Sequence, residues 1–135
     1  MAHANVIAAF RARLAANWSR CAVKDDNNTL QEPPAPPFIE VLFPVASAQQ
    51  MSVGAPGANL WREEGGCLLV LNIERGAGAK DWAPWADELA AIFRGKNFDG
   101  VQTFAPTSAE FENSNEDGNF YQIGVAITYQ YDLIG

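Results

Sequence analysis

The chain has few side chains able to do chemistry. It contains one histidine, His3, and two cysteines, Cys21 and Cys67, in 135 residues. A single histidine, in a terminus expected to fray, excludes a histidine-based triad and a multi-histidine metal site. The cysteines lie far apart without the companion spacing of a metal site or a disulfide framework. Each sits beside apolar residues and reads as a reduced, buried small hydrophobe. Gly76-Ala77-Gly78-Ala79-Lys80-Asp81 has the look of a phosphate-binding loop but fails the pattern. Lys80 is followed by an acid rather than Ser or Thr, the glycine spacing differs, and a carboxylate there would repel phosphate. Glu110, Glu112, Glu116 and Asp117 gather in one polar segment, and Asn113 to Gly118 adds oxygen ligands and a glycine. Their register is not that of a calcium loop, so a solvated loop is the first reading and a patch for a basic partner the second. Glu63 and Glu64 beside Arg62 read as a surface patch rather than an acid–base pair. Trp61, between a loop and a polar stretch, is a candidate interface residue. No catalytic residue, cofactor or metal site is expected.

Composition narrows the classes further. The net charge is −7, from 16 acids against 9 bases. Such a chain is poorly suited to gripping nucleic acid, because each phosphate contact wants a Lys or Arg. With 48% apolar and 19% charged residues, the composition is that of a folded globular protein. Met-Ala-His-Ala-Asn-Val lacks the basic and apolar regions of a secretory signal. No stretch approaches the ~20 apolar residues of a membrane span. Synthesis in the cytoplasm, with no membrane partner, is the expectation.

The elements that would position these residues follow from periodicity. A helix is expected from about Asn5 to Cys21, with Ile7, Phe10, Leu14 and Trp18 on one face. Asn5 is a better capping side chain than His3. The run of Pro33, Pro34, Pro36 and Pro37 predicts a stiff extended connector. Phe38 to Val45 predicts a strand ended by Pro44, with Ile39, Val41 and Phe43 on one face. Ala46 to Val53 is either strand or loop, and Val53 to Asn59 is loop by its glycines and proline. Gly65-Gly66 reads as a break. Cys67 to Arg75 is apolar on both faces at its start, which predicts a covered central strand.

Asp81 looks like the cap of a second helix that ends at Arg94, with Gly95 as the left-handed stop. Trp85, Leu89 and Phe93 form its stripe. Phe98 to Phe104 predicts a strand, and Ala105 to Asn119 a loop with room for a short extended part near Glu110 to Glu112. The two polar stretches Ala46 to Trp61 and Ala105 to Asn119 exceed the usual connection length, which points to function or disorder. Phe120 to Tyr131 alternates Tyr121, Ile123, Val125, Ile127, Tyr129 and Tyr131 against polar or small residues, as a half-buried strand does. The fold class is α+β: a mixed or antiparallel sheet of about four to five strands, packed by two helices on one face. Ile7, Phe10 and Leu14 should meet Leu89 and Phe93 in the core, in one domain spanning residues 1–135.

Several segments, in this order, carry a family resemblance. They are Phe10 to Trp18, Pro36-Pro37-Phe38-Ile39-Glu40-Val41, Gln50-Met51-Ser52-Val53-Gly54, Gly66 to Ile73, Gly76-Ala77-Gly78, Ala86 to Gly95, and Tyr121 to Tyr131. Together the chain resembles the tail-terminator-like proteins of long-tailed bacteriophages. The resemblance implies a sheet flanked by helices and a structural virion protein without catalytic residues. It implies a homo-oligomeric ring, usually of six subunits, that caps the tail tube, stops its polymerisation and presents a surface to the head connector. The implied partners are the major tail tube protein and the head–tail connector proteins, and the implied location is the virion tail. DNA would pass through the channel without specific binding. In such a ring Asp25, Asp26, Glu110, Glu112, Glu116 and Asp117 are candidates for the channel wall, since acids leave a passing duplex mobile. Equally, they serve to keep the free subunit soluble. A small-ligand or peptide-binding α+β module is the alternative function.

Overall fold

A computed structural model describes residues 2–24, 37–74, 83–111 and 120–135 of the chain. Two helices, α1 (Ala4–Asn17) and α2 (Ala83–Phe93), accompany seven strands: β1 (Ala22–Lys24), β2 (Phe38–Gln50), β3 (Leu60–Glu74), β4 (Asn97–Phe98), β5 (Val101–Thr103), β6 (Thr107–Phe111) and β7 (Phe120–Ile134). The strands form one sheet in the order β1-β2-β3-β7-β5-β4, with β6 also paired to β7. All pairs are antiparallel except β1 with β2. The α+β class, with two helices against a mixed sheet, is the one the periodicity predicts. β2, β3, β6 and β7 form the body of the sheet, and the short strands β1, β4 and β5 account for the larger count among the described residues.

Register decides which side chains meet. Ile39 pairs with Leu71 and Val41 with Leu69; across β3, Leu71 pairs with Ile123, Leu69 with Val125 and Cys67 with Ile127. Because side chains alternate faces along a strand, these residues form one apolar sheet face. Both helices cover it. Val6, Phe10 and Leu14 of α1 and Leu89, Ile92 and Phe93 of α2 are buried in the same cluster, with Ile7 partly buried against it. Phe10 lies at its centre, in ring contact with Phe43, Phe93, Phe98 and Tyr129.

α1 starts and ends earlier than the pattern suggests, with local caps at both ends that tertiary contacts reinforce. His3, not Asn5, is the N-cap: its Nδ1 accepts the Asn5 amide at 3.1 Å. Its own amide is held by Glu63 across the sheet, so this end is anchored rather than frayed. At the other end Trp18 turns extended and packs edge-on against Trp85. α2 ends as expected at Gly95, whose φ of 56° is the left-handed conformation a glycine adopts without a Cβ penalty. The Asp81 cap lies outside the described residues.

Two strands run through positions that read as breaks. β2 continues past Pro44 to Gln50. Leu42 pairs with Leu68 and Val45 with Gly66, so Phe43 and Pro44 together oppose Cys67 in a bulge. A bulge tolerates a proline because the ladder is already interrupted there. β3 runs unbroken through Gly65 and Gly66. A Cβ at Gly65 would sit 2.4 Å from the Val45 carbonyl oxygen and 2.8 Å from the Tyr129 hydroxyl. That glycine permits a close approach inside a strand instead of ending it. The two long polar stretches shrink accordingly. The first is loop only over 51–59, and β6 forms within the second. The predicted strand Phe98 to Phe104 is a tight hairpin, β4 to β5, turning at Asp99 and Gly100 with φ of 48° and 84°.

Candidate assembly surfaces

The buried polar groups show what the chain does with its reactive side chains. Glu63, read from sequence as surface, is only 8% exposed. Its carboxylate accepts the Tyr129 hydroxyl at 2.8 Å and the His3 amide at 3.1 and 3.2 Å. Strand parity could have found it. If Cys67, Leu69 and Leu71 face the helices and the strand continues through Gly65, Glu63 must face them too. Thr103, fully buried, donates its hydroxyl to the Phe93 carbonyl and accepts the Lys96 amide at 2.9 Å, closing the C-terminal end of α2. The Arg13 guanidinium donates to the Ile92 carbonyl at 2.8 Å and lies over the Phe98 ring, tying α1 to the end of α2. Arg20 pairs with Glu88. Each of these groups is committed to holding elements together.

The cysteines fit that picture. Cys67 is buried and Cys21 half-buried, and both are free thiols. Burial pushes both thiols up, most strongly at Cys67, which keeps them protonated and poorly nucleophilic. The Tyr129 phenol is also pushed up, first by burial and then by its bond to the Glu63 carboxylate. Both Cys67 and Tyr129 therefore stay protonated in the fold at a pH where the unfolded chain ionises them. Their contribution is complete below the ordinary values of 9.0 and 10.0 and is lost as pH rises past them. Each should lower the unfolding free energy by about 1.4 kcal/mol per pH unit beyond that point. Thermal melts from about pH 8 to about pH 11 check this. Cys67→Ala should make the decline above about pH 9 shallower, with Cys21 and then Tyr129 left to drive it, and a melting temperature that stays flat to the top of the range would contradict the expectation.

The second face of the sheet carries no helix among the described residues. Phe38, Glu40 and Leu42 of β2, Leu68, Val70 and Asn72 of β3, and Gln122, Gly124 and Ala126 of β7 share it at one end. Asn72 is fully buried; it donates to Glu40 at 3.4 Å and accepts Gln122 at 2.9 Å, a polar ladder across three strands. Towards the other end lie Glu64, Arg62 and Asp132. Arg62 grips Asp132 through two hydrogen bonds of 2.8 and 3.1 Å, which holds the Asp132 carboxyl below its usual range.

At that end the chain terminus is stitched to the β2–β3 loop. Gly135 and Asn59 exchange two backbone hydrogen bonds of 3.0 and 3.1 Å. Trp61, half-buried between Gln50 and Leu133, donates its indole N–H to the Gly135 carbonyl at 3.0 Å. Glu110 lies on β6 opposite Ile123, at the far end of β7 from Trp61. The structure therefore does not bring these two candidates together. Asp25, Asp26, Glu112, Glu116 and Asp117 lie outside the described residues. An open groove of about 360 Å³ between α1 and the β4–β5 turn is lined by Asn5, Ala8, Ala9, Ala12, Asp99 and Tyr131; its alanines give a small ligand little to recognise.

Among the described residues the chain is an α+β fold, two helices on one face of a mixed sheet, with Glu63, Asn72 and Thr103 hydrogen-bonded inside it. The family model described as phage tail terminator protein matches residues 5–129. The chain belongs to the phage tail terminator family and is a structural component of the tail. One solved structure shares the fold with a TM-score of 0.66, at 17% identity over 97% of this chain and 96% of that one. Among curated proteins none matches the sequence.

Proposed function

We propose that this chain assembles into a ring of six subunits that caps the finished tail tube, ends its polymerisation and joins the tail to the head connector. The observation that carries this reading is the family match over residues 5–129. In this reading the whole chain acts as one domain, is made in the host cytoplasm, and has no catalytic step. The commitment of Glu63, Thr103 and Arg13 to tertiary hydrogen bonds supports the last point. Its partners are further copies of itself, the tail tube protein and the connector proteins.

DNA passes through the ring without specific binding. Asp25, Asp26, Glu110, Glu112, Glu116 and Asp117 are the acids assigned to the channel wall, and Trp61 to an interface. The sheet face that carries no helix among the described residues supports an acidic wall, because register sets Glu40, Glu64 and Asp132 on it with two cations, Lys24 opposite Glu40 and Arg62, which Asp132 holds. A wall of that charge leaves phosphates ungripped.

Tail assembly in the absence of this protein tests the function. Electron microscopy should show tubes longer than normal and without heads, and the wild-type protein supplied in trans should restore both length and joining. Tubes of normal length with heads attached, in its absence, would overturn the reading.

A further inference from the structure

From Val41 to Trp61 the sequence contains no charged residue. In a chain with 16 acids and 9 bases, that run stands apart, and the fold leaves most of its middle, from Pro44 to Ala58, exposed. It builds the second half of β2, the loop over 51–59 and the start of β3. Val45 is 65% exposed, Val53 86% and Met51 46%. β1 pairs with β2 only at Phe38 to Glu40. The outer edge of β2 from Leu42 to Gln50 therefore has no strand partner among the described residues. Soluble proteins guard a long edge with lysines, short length or a covering element. This edge has a bulge at Pro44 and then a neutral stretch, Val45-Ala46-Ser47-Ala48-Gln49-Gln50, open to pairing.

We propose that this edge is the surface on which a second copy of the chain adds a strand. The same sheet is also open at the diagonally opposite corner. β6 pairs with β7 over Ala126 to Gln122 and has no partner on its other side among the described residues. The free part of β2 lies level with Thr128 to Leu133 of β7, through β3. Joining β2 of one copy to β6 of the next is a head-to-tail contact between two different surfaces, the kind that generates rings. It also offsets successive sheets along the strand direction, and a sheet that closes on itself requires such a stagger. The neutrality of the arm fits a like partner, since an acidic chain meeting its own copy must bring together surfaces that do not repel.

The inference rests on the ring reading, and its test separates the two. Native mass spectrometry of the full chain measures assembly, and hydrogen exchange measures protection of the β2 amides in free and assembled protein. Amides from Phe43 to Gln50 should exchange at least about tenfold more slowly in the assembly. The double variant Ser47→Lys, Gln49→Lys should stay monomeric at concentrations where the wild type assembles. Ala16→Lys, on the exposed side of α1, should assemble as the wild type does. Monomer melting temperatures should be unchanged in both variants. A wild-type assembly with unprotected β2 amides overturns the inference and leaves the ring standing. So does an assembly that survives the two lysines. Protection that appears only when tube protein is added assigns the edge to that partner instead, and a wild type that never assembles overturns both readings.

Discussion

Phe10→Ala is expected to remove about 3–5 kcal/mol of stability, the range seen when a buried aromatic is cut back and its cavity does not collapse. Phe10 is 1% exposed and touches rings from four other places in the chain: Phe43 of β2, Phe93 of α2, Phe98 of β4 and Tyr129 of β7. Its loss therefore loosens both helices and the sheet at once. A domain of this size is stable by only about 5–15 kcal/mol, so the variant should lose a large share of its margin. Urea unfolding measures it as a lower midpoint at unchanged slope. Ala12→Ser, on the exposed side of the same helix, should stay within about 0.5 kcal/mol of wild type. Equal midpoints for Phe10→Ala and Ala12→Ser would show that the aromatic cluster does not hold the layers together.

The two adjacent glycines of β3 should respond in opposite ways to the same change. Gly65→Ala places a methyl group 2.4 Å from the Val45 carbonyl oxygen, 2.8 Å from the Tyr129 hydroxyl and 3.0 Å from the Ala46 Cα. Two of those neighbours are backbone and cannot swing aside, so β2 must move just where its bulge sets the register. Tyr129 is meanwhile held by Glu63. Overpacking of this kind costs about 1–3 kcal/mol and occasionally more. Gly66→Ala meets only the Ile127 carbonyl oxygen at 3.9 Å, an ordinary contact. It should be neutral or stabilising by up to about 1 kcal/mol, because alanine restricts the unfolded chain. Thermal melts of the two variants side by side check the contrast. A Gly65→Ala protein as stable as Gly66→Ala would show that β2 and β3 do not approach closely at that point.

These two positions also show how far the sequence reaches. The apolar spacing of Phe10, Leu14, Leu89 and Phe93 placed them in the core between helices and sheet, because a period of 3.6 is a local property of the chain. The alternation from Tyr121 to Tyr131 foretold β7 for the same reason, and Gly95 marked the end of α2 through its own backbone freedom. The family, too, was legible, since its segments recur in order along most of the chain.

What only the tertiary structure decided is the set of contacts between distant positions. Gly65 reads as a break until Val45 and Tyr129 are brought against it, and Pro44 reads as a strand end until the bulge opposite Cys67 accommodates it. Glu63 reads as a surface acid until β7 delivers Tyr129, 66 positions away, and α1 delivers the His3 amide. His3 caps the helix through its own imidazole, and Glu63 adds a hold on its backbone from the sheet. A residue's periodicity is written in its neighbours along the chain, whereas its partners across the sheet are set by register, which the core imposes by burying one face of every strand together.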